Sequence, residues 1–164
     1  MSRVALVSLG GAGTSIMREI IKISKSDIDL YNVNTKEILE GAKFFGYEEL
    51  EILADELRSY ECVVMTGGLG STGGDALVKL YGMLDSVRKI CFVVSPFYFE
   101  IERLMRSRSQ IGYLVNENFE GAVVSLNTIL DRGLELDKKK LEKAIVRFDR
   151  EMATMILDMI PELE

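Results

Sequence analysis

The chain has 164 residues, 48% hydrophobic and 28% charged, with 20 basic against 26 acidic residues, a net charge of −6 and no histidine. That length supports one domain with a proper core; the acidity argues against a duplex nucleic-acid binder, and the lack of histidine removes the commonest general base and zinc ligand. No run reaches the ~18 apolar residues of a membrane span and no signal peptide opens the chain, so a cytoplasmic location with neither nucleic-acid nor membrane partner is expected.

Taken in chain order, an apolar strand over Val4–Leu9 ends at Gly10-Gly11-Ala12-Gly13, and Ile16, Ile20, Ile21 and Ile23 follow at roughly helical spacing. Asp29–Val33 reads as a second strand closed by Asn34-Thr35. Residues 48–60 form a helix with Leu50, Leu53, Ala54 and Leu57 on one face, 62–65 a strand, 75–87 a helix and 90–95 another strand. After Pro96 comes a helix carrying Ile101, Leu104 and Met105 and continuing through Ile111 to Val115; 122–126 is a strand. Asp137 caps a long last helix with Leu141, Ile145, Phe148, Met152, Met155, Ile156 and Met159 on one stripe. Strands such as Ile90-Cys91-Phe92-Val93-Val94 are apolar at successive positions, so both sheet faces are covered. Strands of that kind alternating with helices give an α/β domain with a mainly parallel sheet, whose ligands sit beyond the carboxyl ends of the strands. Cys62 and Cys91 fall in such strands and read as buried free thiols.

Five glycines crowd residues 67–74, Gly67-Gly68-Leu69-Gly70-Ser71-Thr72-Gly73-Gly74, between a strand and a helix. Each glycine costs ~0.5–1 kcal/mol relative to alanine in regular structure, so the cluster needs a backbone reason: positive φ or the close approach of a ligand. A glycine-rich turn from strand to helix aims several N–H groups at one point, which suits a phosphate. For Gly10–Gly13, a packing turn and a phosphate loop are equally open.

Together these segments resemble the nucleotide-binding half of the tubulin/FtsZ family. Gly10-Gly11-Ala12-Gly13 is similar to that family's first phosphate loop, Asn34-Thr35 to the Asn-Thr after its second strand, and the 67–74 loop to its glycine-rich signature. Val93-Val94-Ser95-Pro96-Phe97-Tyr98-Phe99-Glu100 resembles the Val-Val-Thr-x-Pro-Phe-x-Phe-Glu stretch before its ribose contact. Val123-Val124-Ser125-Leu126-Asn127 resembles its strand ending in asparagine, and the last helix its central helix, whose start touches the guanine. The order holds over essentially the whole chain. The resemblance implies a three-layer, Rossmann-like α/β domain of tubulin/FtsZ nucleotide-binding type over residues 1–164, without that family's second domain. It also implies a GTP or GDP site, with Mg2+ as an accompanying ion. Gly10, Gly11, Ala12, Gly13, Gly68, Leu69, Gly70, Ser71, Thr72, Gly73 and Gly74 would cradle the phosphates, with Asn34 beside them. Glu100 would meet the ribose, with Arg103 nearby; Asn127 would approach sugar or base, and Asp149 would read the guanine.

The chain also departs from the family. The central loop is about two residues shorter, and the γ-phosphate loop is reduced to something like Gly41-Ala42-Lys43. Lys36 stands where FtsZ commonly has Asp, and the chain stops at Glu164, before the loop that completes hydrolysis on a neighbouring subunit. Nucleotide binding with little or no intrinsic hydrolysis is therefore expected, in an assembly or cytoskeletal role, or a scaffold that has lost the ligand. The segment Thr66-Gly67-Gly68-Leu69-Gly70-Ser71-Thr72-Gly73-Gly74-Asp75 also resembles the Thr-Gly-Gly-Leu-Gly-Pro-Thr-x-Asp-Asp of molybdopterin-binding and CinA-like domains, with Asp75 as its last acid. From the residues alone, Asp75 could be a helix cap or a metal ligand, Glu100 and Arg103 a solvated surface pair, and Asp149 part of a polar helix face. If the Met152-Met155-Met159 stripe were uncovered within the chain, a second copy or a protein partner would cover this C-terminal helix.

Overall fold

The computed structural model describes residues 3–25, 27–130 and 137–163; Glu164, the expected close of the domain, lies outside them. Six strands form one sheet in the order β3-β2-β1-β4-β5-β6, and every pairing is parallel. The strands are β1 (Val4–Leu9), β2 (Asp29–Val33), β3 (Lys43–Phe45), β4 (Cys62–Gly68), β5 (Arg88–Ser95) and β6 (Glu120–Ser125). The helices are α1 (Gly10–Ile23), α2 (Leu50–Leu57), α3 (Thr72–Met83), α4 (Ile101–Asn116), the short α5 (Asn127–Leu130) and α6 (Lys138–Leu163). This is the expected three-layer α/β architecture with a parallel sheet.

The alternation of side chains along each strand builds two cores. Ala5, Val7 and Leu9 of β1 join Val63 and Met65 of β4 under α2, α3 and α4, where Leu53, Leu57, Leu77, Leu80 and Leu114 are buried. Val4 and Leu6 with Val64, Ile90 and Phe92 face the other way, onto Ile16, Met17 and Ile20 of α1 and Phe148, Met152 and Ile156 of α6. The methionine stripe of α6 is therefore covered within the chain in part: Met152 is buried and Met159 half-buried, whereas Met155 is exposed. Cys62 and Cys91 are buried and free, and burial pushes the Cys91 thiol up to about 12. Asp137 caps α6 as expected, accepting a hydrogen bond from Lys140 N at 2.8 Å. No described helix is long and apolar enough to cross a membrane.

Three local differences from the sequence expectation bear on the site. β4 runs on to Gly68, so two of the crowded glycines are strand residues, and α3 starts at Thr72 rather than Asp75. α1 begins at Gly10 itself, so the first glycine group is the opening turn of a helix rather than a free loop. β3 was missed because three residues show no usable alternation, and it changes what lies at the carboxyl edge. Lys43 opens β3 opposite Tyr31, so Gly41-Ala42-Lys43 leads into the strand at its amino end, with Gly41 and Ala42 before it. The residues beyond its carboxyl end are Gly46 and Tyr47.

Candidate functional site

The strand order reverses between β1 and β4, and in an open parallel sheet that reversal opens a crevice at the carboxyl edge. α1 and α3 both begin there, and the chain brings their first turns into backbone contact. A Cβ on Gly10 would lie 2.8 Å from Gly73 Cα, and one on Gly73 would lie 2.7 Å from Gly10 Cα and 2.8 Å from Leu9 O. Gly13 and Gly67 are equally constrained, their added Cβ atoms falling 2.7 Å from Thr66 O and 2.8 Å from Leu9 O. These four glycines let two helices close on a strand edge. Gly10 also holds φ +78°, in the left-handed region that favours glycine.

Gly11 differs from them. It is exposed, and a Cβ there would meet nothing within 4 Å. Its amide and that of Ala12 belong to a helix start that no side chain caps, where helix geometry leaves N–H groups without an intrahelical acceptor; Gly13, the fourth residue of the helix, is buried. The amides of Thr72 and Gly73 open α3 in the same way. The Tyr47 hydroxyl lies 3.4 Å from where a Gly10 Cβ would sit, and burial raises its pKa. Two positive helix ends and a phenol thus come together beside the exposed Gly11, an arrangement that suits an anion.

The central loop is less available than its letters imply. Leu69 N donates to Val94 O at 2.8 Å, and the Leu69 side chain is part of the core. Gly70 N donates to Oε1 of the buried Gln110 at 2.6 Å. Gly70 has φ +83° and packs on the Arg103 carbonyl, so α4 holds this turn closed. The Ser71 hydroxyl donates to Gly68 O at 3.0 Å and takes a long bond, 3.4 Å, from Gly74 N. Gly74 is pressed against the Gln110 amide. Asp75 neither caps α3 nor points at the crevice: it pairs with Arg106 and accepts from Gln110 Nε2 at 2.7 Å. No described group of three or more His, Cys, Asp or Glu could hold a metal ion.

On the β2 side, a buried polar chain fixes the first turn of α1. Ser8 Oγ donates to Asn32 Oδ1 at 2.8 Å. Thr14 Oγ1 lies 2.9 Å from that same oxygen and 2.6 Å from Gly10 O. Asn34 Nδ2 donates to Thr14 Oγ1 at 2.8 Å, and Asn34 Oδ1 accepts from Thr35 N at 2.7 Å. Asn34 therefore positions the turn with both ends of its amide. The sequence reading missed Ser8, Thr14, Asn32, Tyr47 and Gln110. Ser8 and Asn32 were visible as polar letters inside apolar strands, which buried hydrogen bonding would require.

Beyond β5, Glu100 accepts from Phe97 N at 2.9 Å and pairs with Arg103 at 3.2 Å. Asn127 Oδ1 accepts from Tyr98 N at 3.0 Å, and Asn127 N donates to Ser125 Oγ at 3.1 Å. Both residues sit at the expected edge and brace the Pro96–Glu100 turn. Asp149 is placed elsewhere, buried in the seam between α6 and α1. Burial first, then the Glu19 carboxylate, raise its pKa to about 7, while Arg18 pulls it down. Glu19 is nine residues into α1 from Gly10, about 13 Å along the axis.

No protein-family model matches the chain. A relative from Archaeoglobus fulgidus, described as an uncharacterized protein, is 59% identical over 165 residues, covering 99% of this chain and 96% of its own length. Among solved structures, CetZ from Methanosaeta thermophila aligns with a TM-score of 0.72 at 13% identity, over 98% of this chain and 54% of that one. CetZ2 from Haloferax volcanii, in a GTPγS-bound protofilament, aligns with a TM-score of 0.71 at 12% identity, over 96% of this chain and 59% of that one. The chain thus spans a little over half the length of those two proteins. The likeness gives the fold, that of the tubulin/FtsZ family to which CetZ belongs.

Proposed function

Because the chain belongs to the same family as the Archaeoglobus fulgidus protein and has the fold of the CetZ proteins, we propose that it binds a guanine nucleotide, GDP or GTP, at the β1/β4 crevice. The observation that carries this is the meeting of two helix starts at Gly10 and Gly73, beside Gly11, the one crowded glycine whose missing side chain leaves open space. The amides of Gly11, Ala12, Thr72 and Gly73 hold the phosphates, and the Tyr47 hydroxyl and the Thr72 side chain border them; Gly13, buried against Thr66 O, lets the helix close on the strand. Backbone donors suit a chain of net charge −6, since an anion must be held against the overall field. Glu100 and Asn127 lie where the sugar would pass; Asp149 takes no part.

This is a proposal of binding, not turnover. The carboxylates flanking the crevice are engaged, Asp75 by Arg106 and Gln110 and Glu100 by Arg103 and the Phe97 amide. Neither is placed to activate a water. The test is Gly11→Asp, which puts a carboxylate where the phosphate would lie. The first turn of a helix favours an acid, so the variant should melt no lower than the parent while losing stabilisation by GDP. A variant still stabilised by GDP as strongly as the parent would count against this site.

One observation favours a second reading, a scaffold without ligand. Gly10, Gly13, Gly67 and Gly73 are all accounted for by close packing, and the Leu69 and Gly70 amides are already bonded. Absence of any guanine-nucleotide binding would select it.

A further inference from the structure

Two aromatic rings stand exposed on the turn that leaves β5 at the carboxyl edge of the sheet: Tyr98 is 65% and Phe99 54% exposed. Single exposed hydrophobics are ordinary, but this pair is held in place. Phe97 N donates to Glu100 at 2.9 Å and Tyr98 N to Asn127 Oδ1 at 3.0 Å, which fixes the backbone leading into both rings. The Phe99 ring lies flat on Phe97, centroids 4.9 Å apart and planes 9° from parallel. Phe97 is itself buried in the core on the α1 and α6 side of the sheet. Tyr98 meets Phe99 edge to face, with centroids 5.5 Å apart. Rings fixed in this way offer a flat apolar surface to a ligand at little cost in ordering.

Their place relates them to the crevice. The turn follows β5, the neighbour of β4, and Asn127 follows β6, the next strand out. At ~4.8 Å per strand, the ends of β5 and β6 lie roughly 7 and 12 Å from the β1/β4 midline. That is the gap a nucleotide crosses from its terminal phosphates to its base. Gly11 opens α1, whose buried side chains share a core with Phe97, so phosphates at Gly11 and a base at Phe99 lie on the same side of the sheet. Asp149, against Glu19 in the α1–α6 seam, leaves the base to be held by other residues.

We propose that Tyr98 and Phe99 seat the base of the nucleotide by stacking. This rests on the reading that the phosphates bind beside Gly11, and it names the residues that hold the other end of the same ligand. Recognition is then of a flat ring, whose face every base possesses, and the Glu100 and Asn127 hydrogen bonds serve to keep the turn in position for it.

Isothermal titration with GDP and with inorganic pyrophosphate tests it, on the parent and on Tyr98→Ala, Tyr98→Phe and Phe99→Leu. Tyr98→Ala and Phe99→Leu should each weaken GDP by about tenfold or more with the far-UV circular dichroism unchanged. Tyr98→Phe keeps the ring and should bind as the parent does. Pyrophosphate has no base, so its affinity should stay constant throughout. GDP binding that is lost in Gly11→Asp yet matches the parent in both Tyr98→Ala and Phe99→Leu overturns this inference and leaves the phosphate site standing. GDP weakened only in step with pyrophosphate does the same, and no GDP binding by the parent overturns both.

Discussion

Replacing Asp149 by asparagine measures what a buried carboxylate costs this fold. Asp149 is 9% exposed in the α1–α6 seam. Glu19 opposes its charge and Arg18 favours it; Lys22 and Arg150 reach the seam only as partners of Glu19, at 3.4 and 3.7 Å. Its pKa in the folded chain, about 7, stands above the ordinary 3.8. Below about pH 4 the group is protonated whether folded or unfolded and carries no penalty. As pH rises from there towards 7 the unfolded chain releases the proton first, so stability falls; above 7 the full penalty is present. A rise of that size corresponds to about 4 kcal/mol at 1.36 kcal/mol per unit, and solvent screening at the open side of the seam lowers the expectation to about 2 kcal/mol. Urea denaturation at pH 4.5 and pH 8 is the assay. Asp149→Asn should exceed the parent by only about 0.5 kcal/mol at the lower pH and by about 2 kcal/mol at the higher, or roughly 4–8 °C in melting temperature for a chain of this size. An asparagine variant no more stable than the parent at pH 8 would refute the burial argument.

Other substitutions separate packing from binding in the glycine-rich crevice. Gly73→Ala drives a methyl group against Gly10 Cα and Leu9 O and should cost about 1–3 kcal/mol in denaturation, whereas Gly11→Asp should cost nothing. Gln110→Ala leaves the buried Gly70 amide without its acceptor and should destabilise by about 1–3 kcal/mol, with faster hydrogen exchange at Gly70. An unchanged Gly70 exchange rate would show that α4 does not hold the loop.

The fold was legible because its signals are long and repeated. β1 and β4 are apolar at most positions and β5 is so over residues 90–94, and α1, α2, α3 and α6 each carry a helical stripe. β3 escaped because three residues cannot show a period. The glycines were legible as a cluster but not as individuals. A sequence cannot say whether a missing Cβ makes room for backbone, as at Gly73, or for a ligand, as we propose at Gly11; only the neighbours across the crevice distinguish them. Gln110 and Asn32 act on residues far away in sequence, Gly70 and Ser8, and no spacing rule could pair them. Asp149 did leave a signal. It lies four residues from Ile145 and Ala153 and three from Met152, on the buried side of α6, so its burial followed from the helix period, while its acidic neighbour Glu19 did not.

Isothermal titration of the full chain with GDP and with GTP tests the central claim most directly. Binding in the micromolar range or tighter, lost in Gly11→Asp, is the predicted result. No heat with either nucleotide, from a chain that is folded and melts cooperatively, would contradict it.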